Sequence, residues 1–156
     1  MIKNNIYFFW KGSLSQWHKS NFTRNYIIFN CCEQYMMFHK ACLFLDFATS
    51  QKILSTNNPA EQKKLGREIK NFDQSIWDKE KFDIVVQGNY LKFSQNNNLK
   101  KILLDTDNLE LAEASPYDNI WGIGLDENNP LAWNKETWKG ENLLGKALME
   151  VRNKLK

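Results

Sequence analysis

The sequence predicts a mainly α-helical fold with a few short strands, arranged as one domain over residues 1–156. Three observations predict it. A length of 156 residues suits a single domain that buries about two-thirds of its unfolded surface. From Asn30 onward apolar residues recur at spacings of three and four, the helical period. Runs of β-formers are confined to the first thirty residues and to short stretches near 109–112 and 120–123.

Taken in order, Ile2 to Trp10 is a strand candidate, KGSLSQWHKSN a loop, and Tyr26 to Phe29 a second short strand. Asn30 with Glu33 three residues on reads as a capping box that opens a helix running to about Phe47. Tyr35, Phe38, Cys42 and Leu45 give it a core face. Further helices are expected at about 48–55, 59–67, 76–94 and 98–104. In the longest, Trp77, Ile84, Val85 and Leu91 share a stripe that Gly88 interrupts. A helical glycine costs about 1 kcal/mol against alanine, so a close neighbour is expected there. Leu109–Ala112 and Ile120–Ile123 read as strands, and Leu144, Leu148, Val151 and Leu155 as the buried face of a C-terminal helix.

Composition excludes several classes. Apolar and charged fractions of 42% and 25% are those of a folded soluble protein, and three prolines and seven glycines leave no room for a low-complexity linker. No stretch is long and apolar enough to cross a membrane, and MIKNNIYFFWKG is no signal peptide. Three cysteines, two of them adjacent, fit a reducing, cytoplasmic setting. With two histidines and no C-x-x-C spacing, neither a metal site nor a cofactor is expected. The net charge of +3 permits a phosphate-bearing partner without requiring one.

Six Trp, five Tyr and ten Phe are more informative, because several fall beside polar clusters, as in sites for flat ligands. The stretch EASPYDNIWGIG, residues 113–124, sets Glu113 and Asp118 around a Pro116 turn, followed by Trp121, Gly122 and Gly124. Two acids so placed could flank a scissile glycosidic bond, or cap and staple the turn. Trp121 offers a stacking face beside open backbone at the glycines. Trp10, Ser15 and Trp17 interleave rings and hydrogen-bonding groups in the same style. In the helix after Asn30, Glu33 and Lys40 lie within about 20° of one another and about 10.5 Å apart along the axis, suited to lining one cleft. Glu33 could equally be a helix cap, and Lys40 could snorkel to solvent or, if desolvated, serve as a nucleophilic amine.

The stretches FWKGSLSQW, NCCEQYMMFHKACLF (30–44), QKKLGREIKNFDQSIWD (62–78), FDIVVQGNYLKFSQN (82–96), LAEASPYDNIWGIG (111–124) and WKGENLLGKALMEVR (138–152) together resemble the YbiA-like, or NADAR, proteins over almost the whole chain. The resemblance implies an α-rich domain and N-glycosidase activity on ribose-linked bases. It implies two substrate classes: ADP-ribosylated guanine in DNA or nucleotides, and phosphoribosyl-aminopyrimidine intermediates of riboflavin synthesis. A catalytically silent ADP-ribose-binding module is the third expectation. Carried over by motif, Glu33, Lys40, Glu113 and Asp118 are the expected catalytic groups. Trp10, Ser15, Trp17, Tyr35, Trp121, Gly122, Gly124 and Asn142 are the expected substrate contacts. In the lysine route Lys40 holds the sugar as a Schiff base; in the alternative a carboxylate activates water directly. Two departures from the family pattern, the missing proline before Phe22 and Cys32 in place of alanine, touch no expected catalytic group.

Overall fold

A computed structural model describes residues 1–156. In chain order the elements are β1 (Ile2–Lys3), β2 (Ile6–Phe9), β3 (Phe22–Arg24), β4 (Ile27–Phe29), α1 (Cys32–Leu43), α2 (Phe47–Leu54), α3 (Pro59–Gly66), α4 (Gln74–Gln95), α5 (Asn97–Leu104), β5 (Glu110–Glu113), two short 3-10 helices (Pro130–Trp133 and Lys135–Thr137) and α6 (Leu143–Leu155). The fold is mainly α with a few short strands, as the sequence predicts. Contacts gather into two compact units, Met1–Ser15 with Asn97–Lys156, and Gln16–Asn96.

In the first unit β1 and β2 form a hairpin whose two turn residues, Asn4 and Asn5, have φ of 51° and 63°. That left-handed pair matches the twist of the strands, and asparagine tolerates it better than most residues. β2 lies parallel to β5, with Ile6 opposite Glu110 and Phe9 opposite Glu113. α6 packs on β5 and buries Leu144, Ala147, Leu148 and Val151 completely, the face its periodicity predicts. Ile6, Phe8, Ala112, Ala114, Ile123 and Leu125 fill the space between, so the end of β5 that carries Glu113 is anchored on both sides.

The second unit is built around α1, against which α2, α3 and α4 pack. α1 stops at a left-handed Leu45 (φ 59°), where Leu45 N–H donates to the Cys42 carbonyl and Asp46 N–H to that of Ala41. Asp46 then caps α2 by accepting from Thr49 N, Asn58 caps α3 ahead of Pro59, and Asp73 caps α4. The β3–β4 hairpin turns at Asn25 and Tyr26 and lays Phe22 and Phe29 on Tyr35, with ring centroids 5.8 and 5.0 Å away. Gly88 of α4 meets Tyr35 so closely that a Cβ there would lie 2.6 Å from Tyr35 Cδ1. This is the close approach its place in the helix predicts.

Several local expectations need correction. Residues 120–123 form no strand: Ile123 N–H donates to the Glu113 carbonyl, and its own carbonyl accepts from Lys139 and Gly140, so no neighbouring strand is left to pair with. The expected capping box does not form either. Cys31 is the N-cap residue and makes no side-chain cap bond; Gln34, not Glu33, reaches back, its Oε1 accepting from Asn30 N at 2.8 Å. α1 ends at Leu43, which leaves Leu45 outside the helix and 71% exposed rather than on the core face. The initial strand is split by its Asn-Asn turn, and β3 lies between the expected loop and the expected second strand, where no element is expected.

Candidate active site

In the second unit α1 and α4 gather a buried polar cluster. Glu33 lies in the first turn of α1, 4% exposed, its backbone N–H donating to the Gln16 carbonyl at 3.0 Å. Lys92 of α4 is fully buried, with its amine 4.8 Å from the Phe93 ring centroid. Burial holds its pKa below the usual lysine value, only partly countered by Cys32 and Cys31. The charge of Lys92 in turn helps burial lower the pKa of His18, so His18 belongs to the same neighbourhood. Cys31 donates to Gln62 Oε1 at 3.2 Å and Cys32 to Asn89 Oδ1 at 3.5 Å. Desolvation pushes the two thiols up to about 11 and about 12, so both stay protonated and neutral beside the amine.

Lys40 neither snorkels freely nor stands open. Its Nζ donates to the Gly66 carbonyl at 2.9 Å and lies 4.7 and 5.4 Å from the ring centroids of Phe72 and Trp77. Burial lowers its pKa, Glu33 opposes that, and Arg67 adds to it. Two ring faces, a carbonyl and a carboxylate offset that only in part, so the net shift is downward. Tyr35 is 1% exposed, with its ring among Phe22, Phe29, His39 and Gly88 and its hydroxyl accepting from Arg24 Nη1 at 2.6 Å. No face of it is left for a stacked base. Trp17, 45% exposed, keeps its ring accessible.

The first unit holds the remaining expected residues. Glu113 ends β5, half-buried, and its backbone N–H donates to Asn142 Oδ1 at 3.1 Å. Asn142 is fully buried, left-handed (φ 55°), and donates from Nδ2 to the Leu111 carbonyl at 2.9 Å. Its amide clamps β5 to the start of α6, so it acts on the site by positioning Glu113. Asp118 Oδ1 accepts from Ile120 N at 2.9 Å and Trp121 N at 2.8 Å, the side-chain turn that was the alternative to an acid pair. The glycines also answer to the chain itself. A Cβ on Gly122 would lie 2.9 Å from the Glu113 carbonyl oxygen, and one on Gly124 (φ 72°) would strike Asn119. Ser15 closes a turn by donating from its backbone N–H to Gly12 O at 3.0 Å. Trp10, 37% exposed, and Tyr117, 86% exposed, form an open ring pair with centroids 5.8 Å apart, and Lys11 Nζ lies 5.4 Å from the Trp10 ring. A shallow cleft of about 640 Å³ in this unit, lined by Asn4, Asn5, Glu110, Trp133 and Lys135 among others, contains none of the expected residues.

Sequence reasoning missed Lys92, Asn89 and His18. Val85, Asn89 and Lys92 are spaced by four and three, so two polar side chains continue the buried stripe of α4, and that was the readable signal. No group of three or more His, Cys, Asp or Glu side chains is clustered as a metal site needs. No helix is long and apolar enough to cross a membrane.

An α-rich fold with a buried amine and a buried carboxylate defines a candidate enzyme of the hydrolase or lyase type. The comparisons narrow it. Residues 8–156 match the model of the NADAR domain. The chain is 48% identical over 143 residues to the N-glycosidase R617 of Acanthamoeba polyphaga mimivirus, covering 88% of this chain and 84% of that protein. It is 31% identical over 109 residues to the riboflavin biosynthesis protein PYRR of Zea mays, covering 67% of this chain but 16% of the maize protein. The NMR structure of YbiA from Escherichia coli matches it with a TM-score of 0.80 at 24% identity, over 99% of this chain and 87% of that one. The chain belongs to the NADAR domain family.

Proposed function

We propose that the chain is an N-glycosidase that releases ADP-ribose from ADP-ribosylated guanine, in DNA or as a nucleotide. Hydrolysis of an N-glycosyl bond rests on the family and on near-full-length likeness to a protein named N-glycosidase. The observation that carries the chemistry is Lys92, a wholly buried amine held toward its neutral form on the same unit as buried Glu33. Burial lowers the pKa of both lysines, but Lys92 is wholly enclosed while Lys40 is half-buried and committed to the Gly66 carbonyl, which favours Lys92 for the covalent role.

In this route the ribose ring opens. The bond from carbon 1 to the ring oxygen breaks, the oxygen takes a proton, and carbon 1 forms an iminium with the base nitrogen. The Lys92 amine adds to carbon 1. The base nitrogen then takes a proton and leaves, so that the sugar is held as a Schiff base on Lys92. Water adds to carbon 1, the amine departs, and the free sugar closes. Glu33, buried in the same unit as Lys92, is the carboxylate for the proton transfers.

A second reading has the name of the maize relative in its favour: cleavage of a phosphoribosyl-aminopyrimidine. A paired turnover assay separates the two. Wild type, Lys92→Met and Lys40→Met are each given an oligonucleotide carrying ADP-ribosylated guanine and, separately, the aminopyrimidine. ADP-ribose release by wild type and Lys40→Met, abolished in a folded Lys92→Met, is the expected result. Cleavage of the pyrimidine alone would move the assignment to the second reading. Binding of ADP-ribose without turnover of either would leave the silent binding module.

A further inference from the structure

One amide in the second unit is fixed as a donor and given nothing to donate to. Gln16 is 8% exposed, and its Oε1 accepts from Asn89 Nδ2 at 2.8 Å. Asn89, fully buried on α4, spends its other Nδ2 hydrogen on the Val85 carbonyl at 2.9 Å, and its Oδ1 faces the Cys32 thiol. A backbone carbonyl can only accept, so the Asn89 amide has one orientation. That in turn fixes Gln16, because reversing its amide would set two NH2 groups against each other. Gln16 Nε2 is therefore a buried donor for which the protein supplies no acceptor. Buried donors left unpaired are rare in folded proteins, since the desolvation they suffer is not repaid within the chain.

Its place in the fold names the acceptor. Asn89, which holds Gln16, and Lys92 are three residues apart on α4 and so share a face. Cys32 adjoins both, facing the Asn89 amide and acting on the Lys92 amine. If Lys92 takes carbon 1 of the ribose, the donor beside it meets an oxygen next to that carbon. Two oxygens qualify. The ring oxygen leaves carbon 1 when the ring opens, whereas the 2-hydroxyl stays one carbon away from start to finish.

We propose that Gln16 Nε2 donates to the 2-hydroxyl oxygen of the sugar being transferred, and so makes the site selective for ribose over 2-deoxyribose. The assignment rests on the lysine reading above and adds a consequence to it. The guanine of an ADP-ribosylated deoxyguanosine carries two N-glycosidic bonds, one to ribose and one to 2-deoxyribose. Gln16 directs cleavage to the first and leaves the nucleic acid intact.

Reductive trapping tests this without relying on turnover. D-ribose 5-phosphate and 2-deoxy-D-ribose 5-phosphate are incubated separately with the full chain and sodium borohydride. The Lys92 amine adds to the aldehyde and water leaves; hydride reduces the imine to a stable secondary amine, read by intact mass and peptide mapping. Wild type should trap the ribose compound faster by about tenfold or more, because a site built to bond a hydroxyl rejects the analogue lacking it. In Gln16→Met that preference should vanish, with Lys92 still labelled by both sugars. Gln16→Glu, which keeps an acceptor for Asn89 while removing the donor, serves if the methionine variant does not fold, and should lose the preference likewise. Trapping at Lys92 with equal rates for the two sugars in wild type, or a preference unchanged in either folded variant, overturns the role of Gln16 and leaves the lysine reading standing. No adduct at Lys92 with either sugar removes the lysine reading, and this assignment with it.

Discussion

Gly88→Ala offers a measurement that tests the packing of the site helix directly. An alanine Cβ at 88 would lie 2.6 Å from Tyr35 Cδ1 and 3.2 Å from Cε1 and Cγ. Ordinary carbon contacts are about 3.5–4.0 Å, so ring or helix must yield by about 1 Å. The ring cannot yield easily. Phe22, Phe29 and His39 pack around it at centroid distances of 5.8, 5.0 and 4.3 Å, and Arg24 Nη1 holds its hydroxyl at 2.6 Å. Overpacking costs about 1–3 kcal/mol, and the gain in helix propensity returns about 1 kcal/mol. With the ring held on several sides the net loss should be about 1–2 kcal/mol, which lowers the melting temperature by about 3–6 °C in a chain of this size. Urea denaturation at constant slope is the assay, repeated in a Tyr35→Leu background. There the same Gly88→Ala change should become neutral or stabilising, because the obstructing ring is gone. If Gly88→Ala is as stable as wild type with Tyr35 present, α4 and α1 are not packed as described.

Three further outcomes follow from the same geometry. His39, whose Nε2 is buried without a partner, has its pKa lowered by burial from 6.5 to about 4, with Arg24 adding to the shift. The unfolded chain therefore binds the proton first, so stability should be full above about pH 6.5 and fall as the pH drops toward 4. The loss should be about 2 kcal/mol after allowing for partial exposure, and His39→Phe should flatten that limb of the pH–stability curve. Cys31 and Cys32, held at about 11 and about 12, should resist a thiol reagent at pH 8, where about 0.1% or less is thiolate; half-buried Cys42 should label first, and all three should label in denaturant. Faster labelling of Cys31 or Cys32 than of Cys42 in the native protein would contradict their burial. Asp118→Ala should cost about 1 kcal/mol of stability through its lost turn bonds while turnover changes little, whereas Glu33→Gln should slow turnover by about a hundredfold or more. A large turnover loss in Asp118→Ala alone would restore it as the acid.

How far the sequence reaches can be argued from particular elements. Periodicity locates the α-helices because each buries a face against the rest of its unit, and three of them also open on a side-chain cap, at Asp46, Asn58 and Asp73. It failed where long-range backbone bonds decide. Residues 120–123 look like a strand by composition, but their polar groups are taken by Glu113 and by the segment 139–144. The motif 113–124 concentrates acids, a ring and glycines, a pattern that suits either chemistry or a capped turn. In the fold much of that concentration serves the turn: Asp118 caps it, Gly122 and Gly124 let it pass close to its own chain, and Asn142 clamps it to β5.

The reverse error explains the missed lysine. Lys40 drew attention because it lies among Met36, Met37 and Phe38, yet α1 turns it onto Gly66, Phe72 and Trp77, where its charge is accommodated. Lys92 looks ordinary in GNYLKFSQN, since most helical lysines reach solvent. What distinguishes it is its phase: with Asn89 it occupies the positions of α4 that Val85 assigns to the interior. An apolar side chain there would avoid the desolvation that a lysine and an asparagine suffer. Phase therefore separates the two lysines better than their apolar neighbours do. A lysine beside apolar residues can still turn partly outward, as half-buried Lys40 does, but one placed on the buried stripe cannot, and Lys92 is the more completely enclosed of the two.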